Sequence, residues 1–239
     1  MNWKQQLKNS VHNYNELLEL WGSNEFLSDE ITRNFPLQVT PHYLSLINGS
    51  NRNDPLKKIV FPQNAELMNT GFEDTMGEQE DYKVKGLQHR YPETALLLMN
   101  NYCASYCRFC FRKRIFNPLN LDEEKIHGIE PAIEYIKQHK EITNVLLSGG
   151  DPLISSTQKL KNTLKFISKI EHIKYIRIGT KIPAFLPQRI YEDDELIKIF
   201  KEINKQKPIY IISHFDHPNE ISKETGIAID KYKFNVAPQ

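Results

Sequence analysis

The sequence predicts an α/β fold in which a helical amino-terminal extension precedes a parallel sheet. Two observations predict this class. From Thr94 onward, short apolar runs alternate with amphipathic patterns at helical spacing, the order of elements that is typical of a parallel sheet. Before that point the chain shows helical and irregular patterns without strand-helix alternation. We therefore predict a helical extension over residues 1–90 and an α/β domain over residues 91–239.

The composition is typical of a globular protein, and we expect a cytoplasmic one. Of the 239 residues, 39% are apolar and 26% are charged, and the chain is long enough to bury a substantial core. No apolar run approaches the roughly 20 residues needed to cross a bilayer, and the first residues lack the apolar core of a signal peptide. With 31 basic and 30 acidic residues, the net charge of +1 gives no electrostatic reason to expect nucleic-acid or membrane binding.

Helical spacing of apolar residues predicts the first elements of the extension. Such residues recur from Trp3 to Trp21 and stop at Gly22, so we expect one amphipathic opening helix. Thr40 before Pro41 is typical of a helix start, because a threonine side chain accepts a hydrogen bond from the first turn. Gly49 would end this second helix. The polar stretches 48–54 and 69–82 are predicted to be surface loops.

Four strands and three helices are predicted in the α/β domain. The apolar runs that predict strands are residues 95–99, 145–147, 173–178 and 209–212. Between them, apolar residues recur at helical spacing over residues 126–136, 160–167 and 196–203. Pro131 lies within the first of these helical patterns, where it should kink or restart the helix.

Each predicted strand is followed by an unusual polar sequence. Three cysteines follow the first strand, residues 148–152 follow the second, residues 179–181 follow the third, and Ser213 with His214 follows the fourth. Because the carboxyl ends of parallel strands meet at one edge of the sheet, we expect these four sequences to lie together on one rim. This rim is the predicted functional site.

The three cysteines indicate a metal centre. Cys103, Cys107 and Cys110 are the only cysteines of the chain and lie within eight residues. Three thiolates on one short loop can ligate three corners of a cuboidal iron-sulfur cluster, and without a fourth cysteine one iron stays open for chemistry. Zinc is the alternative, since three thiolates and one histidine, here His127, complete a tetrahedral site. The odd number of cysteines and their short separation disfavour disulfides.

The polar motifs after the second and fourth strands allow more than one interpretation. Gly149 and Gly150 form a simple turn or let a ligand approach the backbone closely. Asp151 either contacts that ligand or caps the following segment. The spacing of His214 and His217 suggests a metal site, and buried, hydrogen-bonded histidines without a metal are the commoner alternative.

Cations and aromatic residues surround the cysteines. The cations are Arg108, Arg112, Lys113 and Arg114, and the aromatic residues are Tyr106, Phe109 and Phe111. The cations form a solvated face, a nucleic-acid contact, or a group that offsets the charge of a cluster and binds a carboxylate. The aromatic rings belong to the core, stack on a nucleobase or shield the cluster from water.

These motifs resemble the lysine 2,3-aminomutase family of radical S-adenosylmethionine enzymes. The cysteine spacing, three residues and then two, is the signature of the wider class. Sequences similar to the narrower family lie at residues 86–92, 106–114, 146–153, 176–181, 186–190 and 214–221. The likeness runs from about Asp54 to Ser222 and is looser before that.

The resemblance implies a fold, cofactors and a reaction. The fold would be a partial TIM-type barrel of parallel strands, incomplete at its carboxyl-terminal end. The cofactors would be a 4Fe-4S cluster, S-adenosylmethionine and pyridoxal phosphate. Cleavage of S-adenosylmethionine would start a radical reaction on an amino acid held as an aldimine of pyridoxal phosphate. The amino group would move from carbon 2 to carbon 3, which makes the enzyme an isomerase.

The family's site residues carry over to matching positions. Cys103, Cys107 and Cys110 would hold the cluster. The residues that would contact S-adenosylmethionine are Ser148, Gly149, Gly150, Asp151, Lys181 and His214. Arg112 would bind the substrate carboxylate, and Arg90 and Tyr91 would face pyridoxal phosphate. Thr94 stands where the family often has a second arginine, a departure that weakens the expected phosphate site.

The family pattern continues beyond residue 239, so the resemblance implies a fragment. No lysine of this chain matches the one that forms the aldimine, because Lys223, Lys231 and Lys233 come too early. Residues 232–239 no longer follow the family. We expect the strand over residues 209–212 to be an open edge. We also expect a marginally stable, aggregation-prone chain that ligates a cluster and shows no aminomutase turnover.

The sequence allows more than one substrate and more than one class of protein. Lysine, glutamate or another amino acid is the expected substrate, and a related enzyme makes β-lysine for attachment to a translation factor. A flavodoxin or ferredoxin would donate the electron, and full-length members can form homo-oligomers; we expect neither a membrane nor a nucleic acid as partner. From the residues alone, a zinc-binding, nucleic-acid-associated module is the alternative from another class.

Overall fold

One six-stranded sheet organises the chain. A computed structural model describes residues 1–21, 31, 35–51, 53–68, 72, 74–116 and 128–233. The strands are β1 (Tyr82–Val84), β2 (Leu87–Tyr91), β3 (Thr94–Leu98), β4 (Asn144–Ser148), β5 (Tyr175–Thr180) and β6 (Ile209–Ser213). Their order in the sheet equals their order in the chain. The pairs from β1 to β3 are antiparallel, and those from β3 to β6 are parallel.

Eleven helices are described around this sheet. They are α1 (Trp3–Lys8), α2 (Tyr14–Trp21), α3 (Pro41–Leu46), α4 (Pro55–Val60), α5 (Glu78–Asp81), α6 (Glu130–Gln138), α7 (Thr157–Ser168), α8 (Ile182–Phe185), α9 (Gln188–Tyr191), α10 (Asp194–Asn204) and α11 (Lys223–Tyr232). Short 3-10 turns cover Asn64–Leu67, Lys113–Phe116, Pro152–Ile154 and Pro218–Glu220. None of the helices described is long and apolar enough to span a bilayer.

The predicted α/β class is confirmed, and the described sheet is open. Alternate residues of the parallel strands, such as Ala95, Val145 and Ile176, are fully buried in a core that includes Leu164 and Phe200 of helices α7 and α10. The opposite face, marked by the row Leu96, Leu146, Arg177 and Tyr210, is less buried. The arrangement is that of a partial barrel with one face against helices.

The last described strand is an edge, as predicted. β6 pairs with β5 on one side only. Tyr210 and Ile212 are 52% and 47% exposed. Exposed apolar side chains and one row of backbone groups without a strand partner therefore mark this border of the described sheet.

Two short strands in the predicted extension were missed. β1 and β2 form an antiparallel hairpin around Gly86, which adopts a φ of 81°. Residues 89–92 were expected to precede the first strand, and His89, Arg90 and Tyr91 belong to β2 instead. The hairpin is short and its β2 carries polar residues, so it lacks the continuous apolar run that predicted β3 to β6. The domain boundary at residue 90 stays a prediction.

The prediction of a single opening helix was wrong. The chain forms α1 and α2, separated at Asn9 to Asn13. Asn13 accepts a hydrogen bond from the Glu16 amide at 3.0 Å, which starts the second helix. Val11 lies between the helices and pairs with Val39 as an isolated bridge. Gly22, where the helix was expected to stop, lies outside the described residues.

The other predicted helix starts are close to the observed ones. Thr40 accepts a hydrogen bond from the Tyr43 amide at 3.3 Å and starts α3, which ends at Leu46 rather than near Gly49. Pro131 lies in the first turn of α6, so it begins this helix rather than kinking it. The polar stretch 69–82 was expected to be a loop and contains α5. The third predicted strand corresponds to β5, and it begins at Tyr175, two residues later than expected.

Candidate functional site

The loops after β3, β4, β5 and β6 meet in one cleft, as the rim prediction requires. The cleft has a volume of about 180 Å³. Its lining includes Cys103, Cys107, Cys110, Arg112, Gly149, Gly150, Asp151, Lys181 and His214, with the aromatic residues Phe35, Tyr106, Phe111, Phe116 and Phe185. Every loop that carries a predicted polar motif contributes to this lining. Ser148 lies at its border, where its hydroxyl accepts a hydrogen bond from Arg112 at 2.9 Å.

The donor set fits a multi-iron cluster. Burial raises the pKa of the Cys107 thiol to about 12, and it also raises the pKa values of Cys103 and Cys110. Thiols in such surroundings become thiolates when a bound cation compensates the charge. Among the residues that the structure describes, no group of three or more acidic, histidine or cysteine side chains is arranged to hold a single metal ion. A cuboidal cluster binds each thiolate through a different iron, so its ligands need not converge on one atom.

The zinc alternative requires His127 as its fourth ligand. His127 lies outside the described ranges. Both interpretations use the same three described cysteines, and the histidine of the zinc alternative stays a prediction.

The two glycines after β4 let two loops touch. The amides of Gly150 and Asp151 donate to the carbonyls of Asn100 and Tyr102 at 2.8 and 3.0 Å. A Cβ on Gly150 would lie 2.1 Å from the Tyr102 oxygen. Gly149 has a φ of 114°, and its Cβ would lie 2.4 Å from the Asn100 oxygen. The absence of a Cβ at these two positions lets the loop after β4 lie close to the start of the cysteine loop, and the predicted close approach of a ligand stays a prediction.

Asn100 joins the same two loops and was missed from the sequence. Its side chain is buried and donates to the Asp151 carbonyl at 2.8 Å and to the Ser155 hydroxyl at 2.9 Å. Its amide oxygen accepts a hydrogen bond from the Tyr102 amide at 3.1 Å. The available signal was its place directly after a strand and before the first cysteine.

Asp151 caps the segment that follows, which was one of its two predicted roles. Its carboxylate accepts hydrogen bonds from the Leu153 amide at 3.0 Å, the Lys181 amide at 2.7 Å and the Thr180 hydroxyl at 2.8 Å. Burial raises the pKa of Asp151 to about 6, against the lowering effect of these hydrogen bonds. Since both oxygens are engaged internally, a contact with S-adenosylmethionine through this side chain stays a prediction.

The cations near the cysteines are mostly buried. Arg108 pairs with Glu66 at 2.7 Å, and its side chain is 5% exposed. Arg112 pairs with Glu78 at 2.7 Å, and Arg114 shares the same carboxylate at 3.4 Å. Of the four cations, Lys113 alone is substantially exposed, and it faces Glu66. Side chains engaged in this way do not form a basic surface, which argues against the nucleic-acid interpretation.

Lys181 lies within a buried network that was only partly anticipated. Its ammonium pairs with Asp216 and, at 2.7 Å, with Glu220, whose side chain is fully buried. The Tyr43 hydroxyl donates to Glu220 at 2.7 Å, and His214 hydrogen-bonds Asp216 at 2.8 Å. Glu220 and Tyr43 were missed, because their contacts join α3 to loops more than a hundred residues away in sequence.

The two histidines after β6 do different things. His214 lines the cleft, whereas the ring of His217 accepts a hydrogen bond from the Asn219 amide at 3.2 Å and caps a 3-10 turn. No described group around them is arranged to hold a metal ion. The side chain of His214 is 59% exposed, so it is not the buried histidine that was the commoner expectation.

Arg90 and Tyr91 lie away from the cleft. Tyr91 pairs with Thr94 at the amino-terminal end of β3, whereas the cysteines follow its carboxyl-terminal end. The Arg90 side chain is 50% exposed and lies 3.8 Å from Asp81. Arg177 reaches the same end, donating to Asn144 at 2.7 Å and approaching Thr94 at 3.4 Å. The expected role of Arg90 and Tyr91 at pyridoxal phosphate stays a prediction.

The aromatic residues of the cysteine loop divide into two groups. Tyr106 packs against Phe35 and Phe116 with ring centroids 5.7 and 5.1 Å apart, next to Cys103 and Cys110. Phe109 and Phe111 are 58% and 46% exposed. The first group is part of a small core beside the thiols, as expected for shielding, and Phe111 is positioned to contact a ligand in the cleft.

Comparison with known proteins agrees with the geometry of the cleft. The sequence model of the radical SAM superfamily matches residues 97–233. An L-lysine 2,3-aminomutase of Methanococcus maripaludis is 42% identical over 248 aligned positions, which cover 99% of this chain and 56% of the relative. An L-lysine 2,3-aminomutase of Acetoanaerobium sticklandii is 39% identical over 235 positions, covering 95% of this chain and 55% of the relative.

A third relative carries a different substrate in its name. The glutamate 2,3-aminomutase of Clostridioides difficile is 34% identical over 238 positions, covering 96% of this chain and 54% of the relative. The chain thus spans about half the length of the curated relatives it matches.

Proposed function

The chain belongs to the radical SAM superfamily, and from this premise we propose that it forms the radical-generating part of an amino acid 2,3-aminomutase. The proposed reaction moves an amino group from carbon 2 to carbon 3 of an amino acid, an isomerisation. The observation that carries the proposal is the single cleft shared by Cys103, Cys107 and Cys110 with the loops after the next three strands. The family implies a 4Fe-4S cluster and S-adenosylmethionine, and the thiols fit the cluster.

In the proposal, Cys103, Cys107 and Cys110 hold the cluster in the cleft. When bound together, the cluster and S-adenosylmethionine supply a carbon radical that abstracts hydrogen from the substrate. We assign contacts with S-adenosylmethionine to Ser148, Gly149, Gly150, Asp151, Lys181 and His214. Gly149 and Gly150 line the cleft, and the absence of a Cβ lets their loop lie directly against the start of the cysteine loop.

Charges around the cleft are fixed before any ligand binds. The Lys181 ammonium is held by two carboxylates, and the Arg112 guanidinium is held by Glu78 and by the Ser148 hydroxyl. Arg112 still lines the cleft, where we propose that it binds the carboxylate of the substrate. Fixed charges need little reorganisation when the ligand arrives. The rings of Phe35, Phe111 and Phe116 line the same space and exclude water.

We include pyridoxal phosphate in the proposal only because the resemblance to the aminomutase family implies it. Arg90 offers a cation for its phosphate and Tyr91 an exposed ring, while Thr94 supplies no second cation. We assign no lysine of this chain to the carbonyl carbon of that cofactor. No step of the reaction is therefore derived from it.

The substrate is proposed as an amino acid of the kind named for the relatives. L-lysine and glutamate are both represented among them, and another amino acid or β-lysine production for a translation factor is a further alternative. We also propose a cytoplasmic location, a flavodoxin or ferredoxin as electron donor, and a homo-oligomeric assembly for the full-length protein.

Anaerobic reconstitution with iron and sulfide tests the proposal. We expect about four irons and four acid-labile sulfides per chain, and an electron paramagnetic resonance signal that changes when S-adenosylmethionine is added. With dithionite the loaded chain should release methionine and 5'-deoxyadenosine. Replacing Cys103, Cys107 or Cys110 by serine should abolish both the iron and the products, whereas R90A should retain both.

A different metal content would contradict the proposal. Stoichiometric zinc without labile sulfide, together with RNA binding that weakens with salt, would support the zinc-binding, nucleic-acid-associated module instead.

A further inference from the structure

The cysteine loop is in contact with a part of the chain that precedes the superfamily match. We call residues 35–40 and 59–66 the clamp. The side-chain amide of Gln38 donates two hydrogen bonds, to the carbonyl of Cys103 at 2.9 Å and to that of Ala104 at 3.0 Å. In return, the Gln38 carbonyl accepts a hydrogen bond from the Tyr106 amide at 3.0 Å. One clamp residue thus binds the loop at both ends of its first turn.

A second contact lies beside the first. The Thr40 amide donates to the Ser105 hydroxyl at 3.1 Å, within the same stretch between Cys103 and Cys107. The Thr40 hydroxyl donates to the Phe185 carbonyl at 2.5 Å. Phe185 lines the cleft and ends α8, so Thr40 connects the cysteine loop to the helix that follows β5.

A third contact holds the other end of the cysteine loop. Arg108 lies between Cys107 and Cys110, and its amide donates to the Ile59 carbonyl at 2.7 Å. Its guanidinium donates to the Pro36 carbonyl at 3.0 Å and pairs with Glu66. The charged group also lies over the Phe35 ring, 4.5 Å from its centroid. The cation that separates two cysteines is therefore directed into the clamp.

The clamp itself is fixed to the rest of the fold. Val39, between the two clamp residues that bind the loop, is fully buried and exchanges two backbone hydrogen bonds with Val11 at 2.9 and 3.0 Å. The cysteine loop has no regular secondary structure between Cys103 and Phe111. The Cys107 carbonyl accepts from the Cys110 amide within the loop at 3.0 Å, whereas the carbonyls of Cys103 and Ala104 accept from Gln38. A carbonyl left without a donor costs free energy when buried.

We propose that Gln38 is a positioning residue of the metal centre, which orients the Cys103 end of the loop so that its thiol faces the cluster. The clamp is then as much a part of the centre as the α/β domain, although it lies outside residues 97–233. The identity of the bound group rests on the proposed function. The hydrogen bonds from Gln38 to the cysteine loop are independent of that proposal. Amide dipoles near a cluster ligand also change the reduction potential of the cluster.

A matched pair of variants separates positioning from general stability. Q38M keeps the length of the side chain and removes both donors to the loop. Q6M makes the same change at the buried Gln6, whose side-chain oxygen accepts from the His42 amide at 2.9 Å and has no contact with the cysteine loop in the part of the chain that is described. Both variants lose hydrogen bonds in the amino-terminal part, but only Q38M affects the metal centre directly.

The test uses the full 239-residue chain, reconstituted anaerobically. We expect Q38M to lose iron to a chelator roughly tenfold faster than the parent, the factor that the loss of one or two net hydrogen bonds predicts. Its electron paramagnetic resonance spectrum and midpoint potential should also shift. Q6M should match the parent in all three measurements. Equal behaviour of Q38M and the parent, or the same changes in Q6M, would overturn the proposal.

Amide hydrogen exchange of the metal-free chain gives a second measurement that needs no cluster. Exchange over residues 101–111 should be faster in Q38M and unchanged in Q6M, since only the first variant releases the loop. If the parent chain takes up no cluster, the proposed function fails, and this exchange experiment still decides whether Gln38 orders the loop. Unchanged exchange in Q38M would count against the inference alone.

Discussion

The two ends of the parallel strands differ in how firmly their charged side chains are held. At the carboxyl-terminal end, Arg112 and Lys181 are engaged by buried carboxylates around the cleft. At the amino-terminal end, Arg90 is half exposed and 3.8 Å from Asp81, and Tyr91 is 64% exposed. The first end is organised before a ligand binds. At the second end, Arg90 donates to the Met76 carbonyl at 3.0 Å, but its side chain stays half exposed.

This difference separates the two cofactor sites that the family implies. The cleft at the cysteines combines fixed charges, apolar walls and loops joined by short hydrogen bonds, which is the kind of preorganisation that a reactive centre needs. The proposed pyridoxal phosphate position has one exposed cation and no second arginine at Thr94. Within the described chain, the first site is therefore the better developed one.

Removing the carboxylate of Glu78, which pairs with Arg112 beside the cleft, should have the largest effect on stability. Glu78 holds Arg112 and Arg114, and E78A leaves two buried guanidinium groups without it. We expect the free energy of unfolding to fall by about 3–5 kcal/mol. D81A, at the other end of the same short helix, removes the exposed pair with Arg90 and should cost at most about 0.5 kcal/mol. Urea unfolding of both variants measures the contrast; equal losses would refute it.

The second prediction concerns the pH dependence that buried Asp151 creates. Its pKa of about 6 lies above the ordinary value of 3.8, so folding favours the protonated form. Its contribution to stability is complete below about pH 4 and is lost as pH rises through about 6. At about 1.4 kcal/mol per pH unit, the parent should lose roughly 3 kcal/mol relative to D151N between pH 4 and 7.

A carboxylate with the opposite behaviour provides the control. Burial alone would raise the pKa of Asp193, but hydrogen bonds from Thr157 and Leu196 and the charge of Arg189 lower it. Its contribution is therefore present above about pH 4 and is lost as pH falls. Urea titrations of D193N and the parent should give a difference that changes with pH in the opposite direction. The same sign for both aspartates would contradict the assignments.

The third prediction concerns the contact between the two loops of the cleft. G150A places a Cβ against the Tyr102 carbonyl and should reduce the free energy of unfolding by about 2 kcal/mol. G226A is the control, because Gly226 lies within α11 with open space around it. That variant should gain about 0.5–1 kcal/mol, since alanine favours helix. If G150A retained full stability in urea, the loops would not be as close as described.

The apolar pattern predicted the centre of the fold, and local polar motifs predicted the cleft. Strands β3 to β5 are buried on one face, and all four strands from β3 to β6 carry β-branched residues or leucine, so their apolar runs stand out in the sequence. β1 and β2 are short and partly polar, and no such run marks them. The break between α1 and α2 depends on the bridge from Val11 to Val39, a contact that helical spacing does not encode.

The identity of the site residues was easier to predict than what surrounds them. Residues next to a strand end, such as Lys181, were found because topology brings strand ends together. Their partners Glu66, Glu220 and Gln38 were not found, because they lie 42, 39 and 65 residues away in sequence from the site residues that they contact. The buried positions of Arg108 and Arg112 depend on their ion pairs with Glu66 and Glu78, so a basic run in the sequence forms internal ion pairs in the structure.

The equal order of strands in the sheet and in the chain has a consequence for folding. When β4, β5 or β6 joins the sheet, the strand beside which it pairs has already been synthesised, and one crossover connection separates the two. This connection contains α6 before β4, α7 before β5, and α8, α9 and α10 before β6. The loss of chain entropy at each step is therefore that of closing one crossover. The chain leaves the ribosome with its amino terminus first. The clamp, the cysteine loop and the first strands can therefore form while the later strands are still being synthesised.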